Sequence, residues 1–398
     1  MGLLPGSLSP ALAEGLTRLA AWMPFARAAE QLAFFWRVTL GPTTVRQQAE
    51  AAGAAYVAVQ AAEVARLERE GPAPPAGPAL LQVSADGAMV PLVGGVWAEV
   101  KTVAIGVVRE PVLEDGEWRA RAADLSYFSR LTDHETFARL ATAETHRRGV
   151  ATAATVVGVT DGSEWLQGFL DYHCPDAVRI LDLPHAVGHL AAAAQATLGP
   201  GTAATAAWLE AQAHELKTGA PLTVLAALRA LPVAEAADPA AAAAARDATL
   251  GYLTARWAHI QYAHFQALGY PIGSGAVESA NKLVVEARLK GSGMHWARDH
   301  VDPMLALRTV ACADRWGEAW PQIAAQLRAQ AAACRRQRRQ ARRPAVVPPP
   351  TTPPSARRRA PRPRGIPRLR PERSGRPHPW RRPLLAGGRA RQATDAKV

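Results

Sequence analysis

Ala79-Leu-Leu-Gln-Val-Ser-Ala-Asp-Gly-Ala-Met-Val-Pro-Leu92 is the stretch on which the fold turns. It reads as an apolar strand running into Asp86, then Gly87, then a second apolar run. A carboxylate at the end of a buried strand is held in place. Mg²⁺ needs that, because it takes oxygen ligands in near-ideal octahedral geometry. The other reading is local: Asp-Gly between two apolar runs is a strong hairpin signal. The stretch alone leaves both open.

Downstream, apolar runs at 79–85, 88–92 and 96–108 predict three consecutive strands, with turns at Asp86-Gly87 and Gly94-Gly95. Residues 122–128 add a short extended segment. Thr132-Asp-His-Glu135 predicts a capping box, and His146-Arg-Arg-Gly149 a basic last turn ended by glycine. Thr155-Val-Val-Gly-Val-Thr160 is a β-branched strand followed at once by Asp161-Gly162, then by a helix with Trp165, Leu166 and Phe169. Ala177-Val-Arg-Ile-Leu181 is a further strand ending at Asp182. Hairpins followed by helical crossovers predict an α/β fold: a mixed sheet with helices on its faces.

Upstream, residues 1–70 read as helical. The unit Pro24–Trp36 carries an apolar stripe, Leu40-Gly-Pro-Thr-Thr44 breaks it, and a second unit runs from Val45 to about Glu70. The pair fits a helix-turn-helix, with Arg46, Gln47 and Gln48 opening a DNA-reading helix. It equally fits a helical hairpin covering a core. Gly71-Pro-Ala-Pro-Pro-Ala-Gly-Pro78 reads as a linker and domain boundary. A catalytic domain is expected over 79–333, with an Ala-rich helical insertion at about 186–270 that suggests no chemistry.

Charge separates the ends. From Arg335 to Val398 there are 20 Lys/Arg and 2 Asp/Glu, leaving 26 basic and 32 acidic residues for the rest. Composition predicts a disordered Pro/Arg-rich tail over 334–398. A basic arm on a slightly acidic body suggests a polyanionic partner, or simply a solvated extension. The cysteines, Cys174, Cys312 and Cys334, form neither a disulfide framework nor a zinc site. No secretory signal and no apolar run of membrane-spanning length is evident, so no membrane partner is expected.

Three carboxylates stand where sites form: Asp86 and Asp161 at strand ends, and Glu278 early in a helix opened by Gly273-Ser-Gly275. If the strands of Asp86 and Asp161 are neighbours, these two face each other and Glu278 can reach them. Three carboxylates can hold two divalent metals about 4 Å apart, which suits in-line phosphodiester chemistry. Alternatively Asp161 caps the next helix, and Glu278 pairs with Lys282 four residues on. Asp182 reads as a strand-end cap with Pro184 in the first turn after it. His185 and His189 have zinc-ligand spacing, but no third ligand is evident nearby. Asn281, Lys282, Arg288 and Lys290 flank Glu278 and suggest phosphate contacts; Trp296 suggests base stacking or core.

Four segments in order, Val83–Val90, Val159–Trp165, Leu181–His185 and Gly273–Lys282, resemble the DDE transposases of bacterial insertion sequences. The match is to the ISKra-type group, related to mutator-like transposases, and covers about residues 5–330. His378-Pro-Trp-Arg-Arg382 is similar to a C-terminal motif of that group. The resemblance implies a ribonuclease-H-like core with an α-helical insertion. It implies catalytic and metal-binding Asp86, Asp161 and Glu278 with Mg²⁺ or Mn²⁺, two per site, and a role for Asp182 and His185. It implies double-stranded DNA partners (transposon ends and target), a homo-oligomer, and a bacterial cytoplasmic, nucleoid-associated location. Group members carry a further cysteine-rich N-terminal segment, which makes this chain resemble a shortened copy. Two rival expectations are another ribonuclease-H-like nuclease, such as a resolvase, and a catalytically inactive DNA-binding remnant.

Overall fold

The computed structural model describes residues 8–114 and 116–341. Its fold is α/β, mostly helical, around one mixed five-stranded sheet. Three helices come first: α1 (Pro10–Trp22), α2 (Phe25–Trp36) and α3 (Pro42–Glu70). Then follow β1 (Leu80–Pro91), β2 (Trp97–Val108), β3 (Val112–Glu114), β4 (Glu117–Arg119) and β5 (Ala122–Arg130). Helix α4 (His134–Arg147) leads to β6 (Thr155–Thr160), α5 (Glu164–His173) and β7 (Val178–Leu181). The sheet order is β5-β2-β1-β6-β7; β3 and β4 pair only with each other.

β1 corrects the first expectation. It is one twelve-residue strand that passes straight through Asp86-Gly87, which pair with Thr102 and Lys101 of β2. The expected strands 79–85 and 88–92 are therefore a single element. The chain reverses only at Gly94-Gly95, whose positive φ angles of 89° and 76° suit a two-glycine turn. On its other side β1 runs parallel to β6, pairing from Leu80↔Thr155 to Val83↔Gly158. The strand carrying Asp86 and the strand leading to Asp161 are thus neighbours, as the carboxylate pairing required.

The strands of the sheet feed three apolar clusters, and alternation decides which face each side chain joins. Leu81, Val83, Ala85, Val103, Ile105 and Val156 face α4 and α5, packing on Phe137, Leu166 and Phe169. Val157, Val159 and Ile180 face the other way. They meet a helical layer of α6 (Leu183–Leu198), α7 (Ala203–Thr218), α8 (Pro221–Arg229), α9 (Pro239–Ala255) and α10 (Tyr262–Ala267). The α4 cap is displaced by one residue from the expected box: Asp133, not Thr132, accepts the Thr136 N–H at 2.8 Å.

After α10 come α11 (Gly275–Ala280), a π-helical segment (Asn281–Glu286), α12 (Ala287–Leu289), α13 (Arg298–Cys312) and α14 (Trp316–Ala341). The last helix continues through Arg335–Arg339, so the start of the basic segment is helical; the rest of the tail, with His378–Arg382, lies outside the described residues. Apolar side chains from Leu8 to Val59 share one cluster with the π segment, α13 and α14 rather than forming their own. The α3–α13 crossing is so close that a Cβ on Gly53 would lie 2.1 Å from the Pro303 carbonyl oxygen. The Pro/Gly linker is pinned as well: Thr152 donates its hydroxyl to Pro75 O, and Ala154 N–H donates to Pro78 O. Among the described residues no helix is long and apolar enough to cross a membrane.

Candidate active site

Asp86 lies past the last β1–β6 pair, so its side chain stands over the loop that follows β6. One carboxylate oxygen, Oδ1, accepts the Gly87 N–H at 2.7 Å, and Oδ2 accepts the Asn281 amide at 2.9 Å. Burial pushes this carboxyl above the usual carboxylate range, and the Asp161 and Glu278 charges add to the effect. The Gly87 and Asn281 hydrogen bonds pull it back.

Asp161 sits directly after β6, where its Oδ1 accepts the Ser163 N–H at 2.8 Å. It is an Asx turn rather than the helix cap; Ser163 holds the cap position of α5. Glu278 occupies the first turn of α11, with Oε1 taking the Ser274 hydroxyl at 3.2 Å. The expected Glu278–Lys282 ion pair is not among those of the described residues, and Lys282 faces solvent. Asp182 caps α6 as expected: Oδ2 accepts the His185 N–H at 2.9 Å. Its other oxygen accepts the Ser274 N–H at 2.7 Å, tying the end of β7 to the turn that opens α11.

These side chains line one cavity of about 170 Å³, bounded by Ala85, Asp86, Asp161, Asp182, His185, Ser274, Val277 and Glu278. A groove of about 620 Å³ is walled by Leu183 and Gly273, chain neighbours of the cavity's Asp182 and Ser274, and by Pro184 and Ile272; its cations Arg119 and Lys217 pair with Glu117, and Arg121 with Glu114. Among the described residues no three His, Cys, Asp or Glu side chains are gathered tightly enough to chelate one ion. The donor chemistry nonetheless suits a hard cation: the three carboxylates offer oxygen, and the Oδ1 of Asn281 is buried without a partner.

Several expected contacts fall elsewhere. Arg288 is fully buried, donating Nε to the Ala20 carbonyl, with its guanidinium 4.7 Å from the Phe25 ring and 5.2 Å from that of Trp296. Burial and nearby Arg308 push it down to about 10. It is a core residue, not a phosphate contact. Trp296 is core too: it bridges to Leu92, and its indole N–H donates to Leu289 O, so it offers no face for a base. Asn281 is buried against Asp86 instead of facing a phosphate. Lys290 pairs with Glu286 at 2.7 Å. In α3, Arg46 stands 3.8 Å from Glu50, Gln47 is exposed and Gln48 half-buried.

His185 and His189 approach Nε2 to Nε2 at 3.3 Å, and the described residues supply no third ligand for a zinc site. His189 instead stacks on Tyr252 of α9, ring centroids 3.8 Å apart. Burial and the neighbouring His185 and Arg256 lower the His189 pKa. Tyr252 and Arg256 come from the Ala-rich stretch that suggested no chemistry; their i,i+4 spacing was the sequence signal. Ser274, four residues before Glu278, was likewise legible as a partner. Scanned against models of known protein families and against curated proteins, the chain matches none.

Proposed function

We propose that the chain is a DDE transposase: it nicks DNA at the ends of an insertion sequence and joins the freed 3′-hydroxyl to target DNA. One observation carries this reading. Asp86 and Asp161 from adjacent parallel strands, and Glu278 from a helix much later in the chain, line the same small cavity. The order β5-β2-β1-β6-β7, with a three-strand antiparallel meander continued by two parallel strands, is compatible with a ribonuclease-H-like core.

Asp86, Asp161 and Glu278 would hold two Mg²⁺ or Mn²⁺ ions. When bound, such ions activate the attacking oxygen and neutralise the leaving one. The chain's own residues orient the ligands. Gly87 N–H and Asn281 hold Asp86, Ser163 N–H holds Asp161, and the Ser274 hydroxyl holds Glu278. Asp182 keeps Ser274, and with it the start of α11, against the end of β7. A DNA strand in the groove walled by Leu183, Pro184 and Gly273 would compete with Glu114 and Glu117 for Arg119, Arg121 and Lys217. Two ends must be processed together, so a homo-oligomer on double-stranded DNA is part of the proposal.

The test is nicking of a duplex bearing the element's inverted repeats, with Mg²⁺ or Mn²⁺ present. Asp86→Ala, Asp161→Ala and Glu278→Ala each abolish cutting on this account; three variants that cut like the parent would remove the assignment. Cutting without strand joining would point to a nuclease instead. Among the described residues no three His, Cys, Asp or Glu side chains form a ready metal-binding group, and one second reading fits that: a DNA-binding remnant. That remnant binds DNA in a salt-sensitive way and cuts at no metal concentration.

A further inference from the structure

We infer that the helical insertion sets the position of Asp161, with Tyr252 and Arg256 as positioning residues. This rests on the transposase reading for its catalytic meaning, though not for its structural one.

Tyr252 lies in the last turn of α9, and Arg256 is the residue that ends the helix. The Tyr252 hydroxyl donates to the backbone carbonyl of Asp161 at 2.5 Å. The Arg256 Nη2 donates to the next carbonyl, that of Gly162, at 2.8 Å. Two consecutive carbonyls of the loop after β6 are therefore held by one turn of a helix some ninety residues downstream in the chain. Arg256 also lies over the Tyr252 ring, 3.8 Å from its centroid, and donates Nη1 to the Tyr252 carbonyl at 3.3 Å. The pair is a preformed unit, so little side-chain freedom is lost in the contact.

The unit is braced from α6. Tyr252 stacks on His189, and the Thr249 hydroxyl donates to the His189 carbonyl at 3.1 Å. His189 meets His185, which lines the carboxylate cavity. The loop itself is shaped to receive the clamp. Gly162 adopts φ +79°, and a Cβ there would lie 2.6 Å from Arg256 Nε and 3.0 Å from the Tyr252 hydroxyl. Within the loop, the Asx turn to Ser163 N–H orients the Asp161 carboxylate relative to its own backbone. The clamp fixes that backbone relative to the rest of the molecule. Displacing a reacting group by about 1 Å can cost about a hundredfold in rate.

The experiment compares parent, Tyr252→Phe, Arg256→Lys and Arg256→Met by backbone amide exchange, Mn²⁺ binding followed by electron paramagnetic resonance, and nicking. Tyr252→Phe keeps the ring stack and loses only the hydrogen bond. The expected result is exchange at Gly162 and Ser163 faster by about tenfold, weaker Mn²⁺ binding by about tenfold, and kcat for nicking reduced while DNA affinity is unchanged. Arg256→Lys recovers part of what Arg256→Met loses. Exchange and Mn²⁺ affinity equal to the parent's in both Tyr252→Phe and Arg256→Met would overturn the inference. So would faster exchange with undiminished Mn²⁺ binding. Should Tyr252→Phe fail to fold, the Arg256 pair decides alone. A parent that does not nick removes the transposase reading, and exchange with Mn²⁺ affinity still judges the clamp.

Discussion

Both oxygens of the buried Asp182 carboxylate accept backbone N–H groups, one in α6 and one in the turn before α11. Removing them strands two donors, and such losses cost about 1–3 kcal/mol apiece when buried. Asp182→Ala should lower the unfolding free energy by about 2–4 kcal/mol in urea titration. His173 allows a pH prediction. Its Nε2 donates to Ala138 O, and burial pushes its pKa down from 6.5 to about 4. The unfolded chain binds a proton near 6.5 that the folded chain refuses until about 4. The contribution is therefore complete above pH 6.5 and lost as pH falls toward 4, by up to about 3 kcal/mol. His173→Gln should flatten the difference in unfolding free energy between pH 7 and pH 4.5 relative to the parent. At this scale the sequence was informative about which residues carry chemistry and silent about burial. Arg288 and Trp296 have the residue types of a DNA contact, and only their packing on Phe25, with the Arg288 bond to Ala20 O, assigns them to the core.

Strands and helices were read best where a local pattern was also the global one. Thr155–Thr160 is β-branched, bounded, and found as a strand over those same residues. Asp86-Gly87 failed as a turn because β2 supplies an unbroken partner on that side: the register runs through Thr102 and Lys101 without a slip. A two-residue signal cannot report that. Helix α3 shows the same conflict in energy. Propensity alone says Gly53→Ala should stabilise a helix interior by about 1 kcal/mol. The crossing says otherwise, because the new methyl meets the Pro303 backbone, which cannot rotate away. Gly53→Ala should therefore lower the melting temperature, by an overpacking cost of about 1–3 kcal/mol; a rise in melting temperature would show that the crossing relaxes freely.

For the molecule as a whole, the sequence indicated a mixed sheet with helices, and that is the architecture found. It suggested a separate N-terminal helical domain, whereas those helices complete the core that also holds the π segment after Glu278. Long-range packing of this kind leaves only an apolar stripe in the sequence, which names no partner. The charge division is a sequence property and makes its own prediction. A chain ending at Ala341 loses 16 of its Lys/Arg. It should bind DNA more weakly, with a shallower fall of log K against log salt; an unchanged slope would assign the polyanion contacts to the folded body.

The central claim is that Asp86, Asp161 and Glu278 are ligands of one divalent-metal site. A crystal of the protein grown with Mn²⁺, with anomalous scattering recorded, tests it most directly. The account predicts Mn²⁺ peaks inside the cavity, at about 2.0–2.3 Å from carboxylate oxygens of all three residues. Saturating Mn²⁺ with peaks only elsewhere, or bound at the cavity with Glu278 uninvolved, would contradict it.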